Sequence, residues 1–155
     1  MDESAARTGA LAFMKGHSAG VLATASLDGH PHASAVYYVC DDNFNIYFIT
    51  LINSRKRAAM SENPQVAFTV GSQDMPQTVQ VEGVAVELQN KDEMSEHVAD
   101  LTKVLTSNRR YYAPITLLDP STVILVWIKP TWIRWADYTS ADSGSKKVLI
   151  EIQPA

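Results

Sequence analysis

Three basic residues at positions 55–57 follow Ser54 directly. Ser54 is a favourable N-cap and Asn63-Pro64 is a stop signal, so the sequence predicts a helix over Arg55–Glu62. The N-terminus of a helix already carries about half a positive charge and several free N–H groups, so three cations in its first turn are unfavourable. A bound anion would remove this repulsion, and a phosphate is the best candidate. A solvated basic turn with salt bridges to Glu62 or elsewhere in the protein explains the same residues equally well.

Other reactive residue types are scattered and form no recognisable catalytic constellation. His30 and His32 are two residues apart and could face one side of a strand, but no third ligand has a suitable spacing. We therefore interpret them as polar residues at the end of a hairpin. The chain has one cysteine, Cys40, which excludes an internal disulfide and a cluster of thiolate metal ligands. The sequence predicts no metal site and identifies no catalytic residue.

The composition is that of a single globular domain. The 155 residues are 46% hydrophobic and 19% charged, which is too apolar for a disordered chain. The net charge of −4 argues against a general nucleic-acid-binding surface, which needs an excess of basic residues. No apolar run is long enough to cross a bilayer, and the acidic N-terminus does not resemble a secretory signal. We therefore expect a cytoplasmic protein whose partners include neither nucleic acid nor membrane.

Alternating apolar residues predict a mainly β protein. Two β-prone runs flank Asp28-Gly29, which tolerates the positive φ of a tight turn and so indicates a first hairpin. Along Thr78–Leu88 the alternation changes phase at Gly83, which predicts a bulge or a bend. About six or seven strands, joined mostly by short turns, favour an antiparallel barrel with peripheral helices. We divide the chain into a barrel domain, residues 1–136, and a polar linker with a short apolar tail, residues 137–155.

The sequence also predicts where several elements begin and end. Ser4 is a suitable cap for a first helix, and Asn90 is a suitable cap for a later amphipathic helix. Lys129-Pro130 is expected to separate the last two strands, Thr122–Ile128 and Thr131–Trp135.

Three motifs occur in order along the chain: Phe48-Ile-Thr-x-x-x-Ser-Arg-Lys, Glu62-Asn-Pro-x-Val-Ala and Val79-Gln-Val-Glu-Gly. With the opening hairpin Gly-Val-Leu-Ala-Thr-Ala-Ser-Leu-Asp-Gly-His-Pro, the set resembles the pyridoxamine 5′-phosphate oxidase family of FMN-binding split β-barrels over about residues 10–136. The resemblance implies a mainly β fold: a six-stranded antiparallel split barrel with Greek-key connections and peripheral helices. It also implies a homodimer with one FMN in each of two clefts at the subunit interface.

The resemblance further implies which positions contact the cofactor. These are Ser34, Ala35, Val36, Tyr37, Ile49, Thr50, Ser54, Arg55, Lys56, Thr78 and Trp135. The first four would lie along the flavin ring and ribityl chain, the next two would add contacts from the following strand, and the next three would bind the phosphate. Thr78 stands where the family has a Gln that reaches the flavin from the partner subunit, and Gln77 or Gln80 could replace it. Trp135 matches a C-terminal Trp that contributes in some members.

Two departures from the family pattern concern the substrate. The oxidase has an Arg where this chain has Ser34 and a Lys where it has Val39, so the grip on a substrate phosphate is missing. The resemblance therefore implies an FMN-dependent oxidoreductase with a different, less anionic small-molecule substrate. Because a flavin supplies its own redox chemistry, no acid–base pair is required. A non-enzymatic flavin-binding or electron-carrier protein on the same fold, and a relative that holds deazaflavin F420 or haem, remain open alternatives.

Overall fold

The computed structural model describes residues 2–71, 74, 76–88, 91–107, 119–139 and 149–155. Its helices are α1 (Glu3–Gly16), α2 (Arg55–Glu62) and α3 (Lys91–Ser107), with a short 3-10 turn over Pro120–Thr122. Its strands are β1 (Ala19–Ala25), β2 (Pro31–Tyr37), β3 (Val39–Cys40), β4 (Ile46–Leu51), β5 (Gln65–Gly71), β6 (Gln77–Leu88), β7 (Val123–Asp137) and β8 (Leu149–Ile152).

All strands belong to one antiparallel sheet in the order β2-β1-β5-β6-β7-β4-β3, and β8 pairs with β7. Only Tyr38 separates β2 at one edge from β3 at the other, so the chain itself joins the two edges and curls the sheet. Six strands result when β2 and β3 are counted as one interrupted strand and β8 is set aside. The predicted mainly β fold, an antiparallel split barrel with peripheral helices, is confirmed.

The core lies inside the curled sheet and beneath α1. In β1 and β5 every second residue is buried, as the alternation of a half-buried strand requires. Helix α1 covers the core with Ala6, Ala10, Phe13 and Met14. The buried hydroxyl of Tyr38 donates a hydrogen bond to the backbone oxygen of Met14 at 2.7 Å, which anchors the link between β2 and β3 to α1.

The β6–β7 pair contains the predicted irregularity at Gly83. Glu82 pairs with Trp132 while Gly83 pairs with Pro130, so Thr131 is the extra residue of a bulge. The hydroxyl of Thr131 donates to the backbone oxygen of Glu82 at 3.2 Å. The prediction of two separate strands was wrong, because the bulge accommodates the proline, which has no N–H to donate, and β7 continues through it.

The N-cap of helix α1 lies two residues before the predicted one. The carboxylate of Asp2, and not Ser4, accepts the N-cap hydrogen bond, from the backbone N–H of Ala5 at 2.8 Å. An acidic cap also interacts favourably with the helix dipole. Asn90, the predicted cap of α3, lies outside the described residues.

The C-terminal strand β8 pairs with β7 between Ile133 and Ala136. Its position is secured by α1, because Arg7 Nη1 donates to the backbone oxygen of Gln153 at 3.0 Å and the carboxylate of Glu3 accepts from the N–H of Gln153 at 3.0 Å. The described helices include none with the length and apolar character needed to span a membrane.

Candidate functional site

The N-terminus of α2 forms where the sequence predicts it, after Ser54. The Oγ atom of Ser54 accepts a hydrogen bond from the backbone N–H of Arg57 at 3.2 Å, the usual N-cap contact. It also lies 3.0 Å from Oγ1 of Thr50, a side chain that is only 4% exposed. The end of β4 and the start of α2 are therefore joined by a pair of hydroxyl groups.

Of the three cations at this helix end, Arg57 is already paired. Its Nε and Nη2 atoms donate to the two carboxylate oxygens of Glu87 at 2.8 and 3.3 Å, and its Nη1 donates to the backbone oxygen of Ile52 at 3.0 Å. The hydrogen bonds and the negative charge of Glu87 raise the pKa of the Arg57 guanidinium. For this residue the alternative of a salt bridge elsewhere in the protein is correct.

Arg55 and Lys56 have no partner among the residues that the structure describes. Arg55 is exposed and Lys56 half-buried, and neither forms a hydrogen bond or an ion pair with any residue in the described ranges. The first turn of α2 contains no acidic residue. Its backbone N–H groups at these two positions also have no helical acceptor, because the first turn of a helix lacks one. Two cations and two N–H donors beside the Ser54 hydroxyl can bind a phosphate.

The strand β2 contacts β4, the strand that leads into the turn before α2. In β3, which follows β2 after Tyr38, Val39 pairs with Tyr47 and Cys40 with Ile46 of β4. The strands β2 and β4 contact each other but are not paired there, so the sheet is split at this point. The structure therefore places β2 and β4, which carry six of the predicted contact residues, on the two sides of this split.

Ser34 contributes an unusual polar atom to this region. Its Oγ is buried and has no hydrogen-bond partner among the described residues. It pairs with Leu22, which is fully buried, so its side chain is on the inner side of the sheet. Buried hydroxyl groups nearly always have a partner. A buried, unpaired hydroxyl group on the strand that borders the split in the sheet is what a site for a polar ligand would contain.

The predicted contact residues divide between the two faces of the sheet. The side chains of Val36 and Thr50 are buried on the inner side, whereas Ala35 and Tyr37 lie on the outer side, as strand alternation requires. Ile49 belongs to the outer side too, where it packs in a small cluster around Tyr47.

Thr78 and Trp135 lie at the other end of the β6–β7 pair. Thr78 pairs with Ala136, and Trp135 pairs with the fully buried Val79, so the two side chains are on opposite faces. Trp135 is 2% exposed, and its ring lies 5.4 Å from that of Phe13 beneath α1. Within one chain the structure does not bring either residue to the N-terminus of α2, because β7 pairs with that end of β4 through Val123.

The two glutamines near Thr78 are distinguished by their faces. Gln80 shares the outer face with Thr78, and its Oε1 accepts hydrogen bonds from Arg134 Nε at 3.2 Å and Nη2 at 2.7 Å. Gln77 lies on the α1 side and is the strand partner of Asp137. Only Gln80 can therefore act on the same face as Thr78.

The outer face of β2, β1 and β5 carries mostly small, uncharged side chains. We call it the small-residue face, and its members are Ala19, Val21, Ala23, Ala33, Ala35, Ala67 and Thr69. Val21 at its centre is 44% exposed, and it pairs with Ala35 on one side and Thr69 on the other. Alanine is depleted in strands, so an exposed sheet of alanines needs another explanation than local stability.

Cys40 lies in β3 and is partly buried. Burial raises the pKa of Cys40 to about 11, so its thiol is protonated and unreactive at neutral pH. Among the described ranges no group of His, Cys, Asp and Glu side chains could hold a metal ion. Sequence reasoning missed Glu87, whose pairing with Arg57 depends on the β6–β7 register and has no signal in the spacing of the two residues.

Comparison with known proteins identifies relatives of this architecture. A family model described as pyridoxamine 5′-phosphate oxidase matches residues 8–137. A curated relative, the pyridoxine/pyridoxamine 5′-phosphate oxidase of Anaplasma marginale (strain St. Maries), is 32% identical over 88 residues, which is 57% of this chain and 40% of the relative. The aligned part of this chain thus spans less than half of the relative's length.

Solved structures share the fold at lower identity. An FAD-binding protein from Mesorhizobium loti superimposes with a TM-score of 0.64 and 19% identity over 81% of this chain and 88% of its own. A haem-binding protein from Mycobacterium smegmatis superimposes with a TM-score of 0.74 and 17% identity over 96% of this chain and 57% of its own.

Proposed function

Because the chain belongs to the pyridoxamine 5′-phosphate oxidase family, we propose that it is an FMN-dependent oxidoreductase acting on a small molecule. The observation that carries the proposal is the N-terminus of α2. There, beside the hydroxyl of Ser54, Arg55 and Lys56 have no hydrogen-bond or ion-pair partner within the described ranges. The buried, unpaired Oγ of Ser34 gives independent support for a polar ligand in this region. The flavin-binding neighbour from Mesorhizobium loti supports a flavin as that ligand.

Each residue of this candidate site has a role that follows from its chemistry. Arg55 and Lys56 neutralise the phosphate, and the N–H groups of the first helical turn donate to it. Ser54 Oγ already accepts from Arg57, so its own hydrogen is available to Thr50 or to a phosphate oxygen. Ser34 would pair its hydroxyl with a polar atom of FMN. When bound, FMN would supply hydride or electron transfer, chemistry that no side chain here provides.

The residues at 34 and 39 bear on the substrate. Neither Ser34 nor Val39 carries the positive charge that the family's oxidase uses to hold a phosphorylated substrate. We infer that the small molecule lacks a phosphate group, since an unneutralised dianion at these positions would remain better solvated by water.

The first test is the identity of the bound chromophore. We expect purified protein to be yellow and to release on heating a compound with the mass and absorbance of FMN. Anaerobic bleaching by NADH or NADPH would support an oxidoreductase, whereas a flavin that neither nucleotide reduces would favour an electron carrier. Release of deazaflavin F420 or haem instead of FMN would contradict the proposed cofactor.

We also propose that the protein is a homodimer that shares its FMN sites across the interface. Thr78 is distant along β7 from the N-terminus of α2, so a second copy must supply any contact it makes to FMN bound there. The small-residue face is suited to the contact, because side chains this small let two sheets approach closely and exposed apolar patches mark interfaces. Ala35, one of the predicted FMN contacts, belongs to this face.

Ala35→Arg tests the dimer. A long cationic side chain at the centre of a close sheet contact would have to be buried without a partner, so we expect the measured mass to fall from twice 17.0 kDa to 17.0 kDa. Light scattering after size-exclusion chromatography gives the mass. Ala5→Arg is the matched control, because Ala5 is an exposed alanine of α1, away from this face. A dimeric Ala35→Arg variant with wild-type FMN affinity would refute this assignment of the interface.

A further inference from the structure

Arg57 differs from its two basic neighbours in using every side of its guanidinium group. Two donors contact both oxygens of Glu87 and a third contacts the backbone oxygen of Ile52. Its backbone N–H is used as well, as the donor to Ser54 Oγ. Arg57 could reach a phosphate only by giving up these contacts, and Glu87 would then be left without its cationic partner.

The contacts of Arg57 converge on the turn that precedes α2. The N–H of Ile52 donates to the backbone oxygen of Thr122 at 3.0 Å, and the N–H of Ser54 donates to the backbone oxygen of Leu51 at 3.1 Å. Thr122 immediately precedes β7, while Glu87 is near the end of β6. The turn is therefore tied to β7 by its own backbone and to β6 through Arg57.

We propose that Arg57, held by Glu87, is a positioning residue that fixes the Leu51–Ser54 turn and so orients the groups that bind the FMN phosphate. This inference rests on the proposed function. The planar fork of Arg can bond a carboxylate through two atoms and a carbonyl through a third, which the single ammonium of Lys cannot do. The pairing also leaves two free cations at the site, a charge that matches the phosphate of a mononucleotide.

The decisive comparison is between Arg57→Lys and Arg57→Ala. If Arg57 bound the phosphate by its charge, Lys would restore affinity; if it acts through its fork, both variants lose affinity alike. We expect each to weaken FMN binding about tenfold, the size of effect seen when partners that orient a ligating group are removed from metal sites. We also expect Glu87→Gln to weaken binding similarly, and the Arg57→Ala, Glu87→Gln double variant to be no weaker than either single variant.

Riboflavin, which lacks the phosphate, separates positioning from a general loss of structure. Dissociation constants for FMN and riboflavin are measured by quenching of flavin fluorescence on apoprotein and on each variant. We expect riboflavin affinity to be unchanged, so that the ratio of the two affinities falls. Equal losses for both ligands would show a merely structural role and overturn the inference.

Two further outcomes distinguish this inference from the function on which it rests. Wild-type FMN affinity in Arg57→Lys, or tighter binding in Glu87→Gln, would overturn the positioning role while leaving the flavin site intact. A wild-type chain that binds neither FMN nor riboflavin would overturn both proposals. Loss of FMN affinity in all the variants, with riboflavin binding preserved, would support both.

Discussion

Lys56→Glu is expected to weaken FMN binding by about 100- to 10,000-fold. The substitution removes a charge-assisted bond to the phosphate and adds repulsion, and each effect is typically about 1.5–3 kcal/mol. Isothermal titration of the apoprotein with FMN measures the change. The effect should be large because Lys56 is half-buried at a helix N-terminus, where Arg55 would have to face both the phosphate and the new carboxylate.

Lys103→Glu is the matched control for this experiment. Lys103 lies on α3, its side chain is 78% exposed, and it forms an ion pair with Asp100 three residues away. The same charge change there should leave FMN affinity within about twofold, because a side chain this exposed is screened by solvent and salt. Equal affinities of wild type and Lys56→Glu would remove the phosphate from the N-terminus of α2.

Gly83→Ala is expected to lower the free energy of unfolding by about 3 kcal/mol or more. A Cβ atom at position 83 would lie 2.5 Å from the backbone oxygen of Lys129 and 2.8 Å from Cγ2 of Ile128. The first of these contacts is with backbone inside a paired strand, which cannot rotate away as a side chain could. The bulge at Thr131 would have to shift, and with it the register that places Glu87 beside Arg57.

Gly9→Ala provides the opposite case in the same chain. A Cβ atom there would lie 3.6–3.7 Å from the indole of Trp135, an ordinary packing distance, and alanine is the better helix former. We expect Gly9→Ala to raise the free energy of unfolding by about 0.5–1 kcal/mol. Urea titrations of both variants give the comparison. Equal stability of Gly83→Ala and wild type would contradict the close contact between position 83 and the backbone of β7.

Local signals predicted the parts of this fold that depend on neighbouring residues. Ser54 and Asn63-Pro64 define α2 because capping and proline geometry act within a few residues. The phase change at Gly83 predicted the bulge for the same reason. The continuity of β7 could not be predicted, since Pro130 interrupts a strand unless a bulge in its pairing accommodates it.

The candidate site was harder to predict because it depends on register and face. A run of three cations does not reveal that Arg57 forms an ion pair with Glu87, because strand pairing brings these two residues together. Likewise, the sequence does not show that Thr78, which pairs with Ala136, and Trp135, which pairs with Val79, lie on opposite faces. The alternation of buried and exposed residues along one strand can be predicted from a sequence, whereas the register between two strands cannot.

The short strand β8 has a consequence for how the protein behaves at high concentration. One edge of β7 is paired with β6 from Leu125 to Asp137, apart from the bulge at Thr131. The other edge is shared between β4, opposite Val123–Ile128, and β8, opposite Ile133–Ala136. Without β8, the N–H and C=O groups at the second half of that edge would be free to template another chain. Strand β8 therefore protects this edge of β7 from pairing with another chain, and the hydrogen bonds from Arg7 and Glu3 of α1 hold it in place.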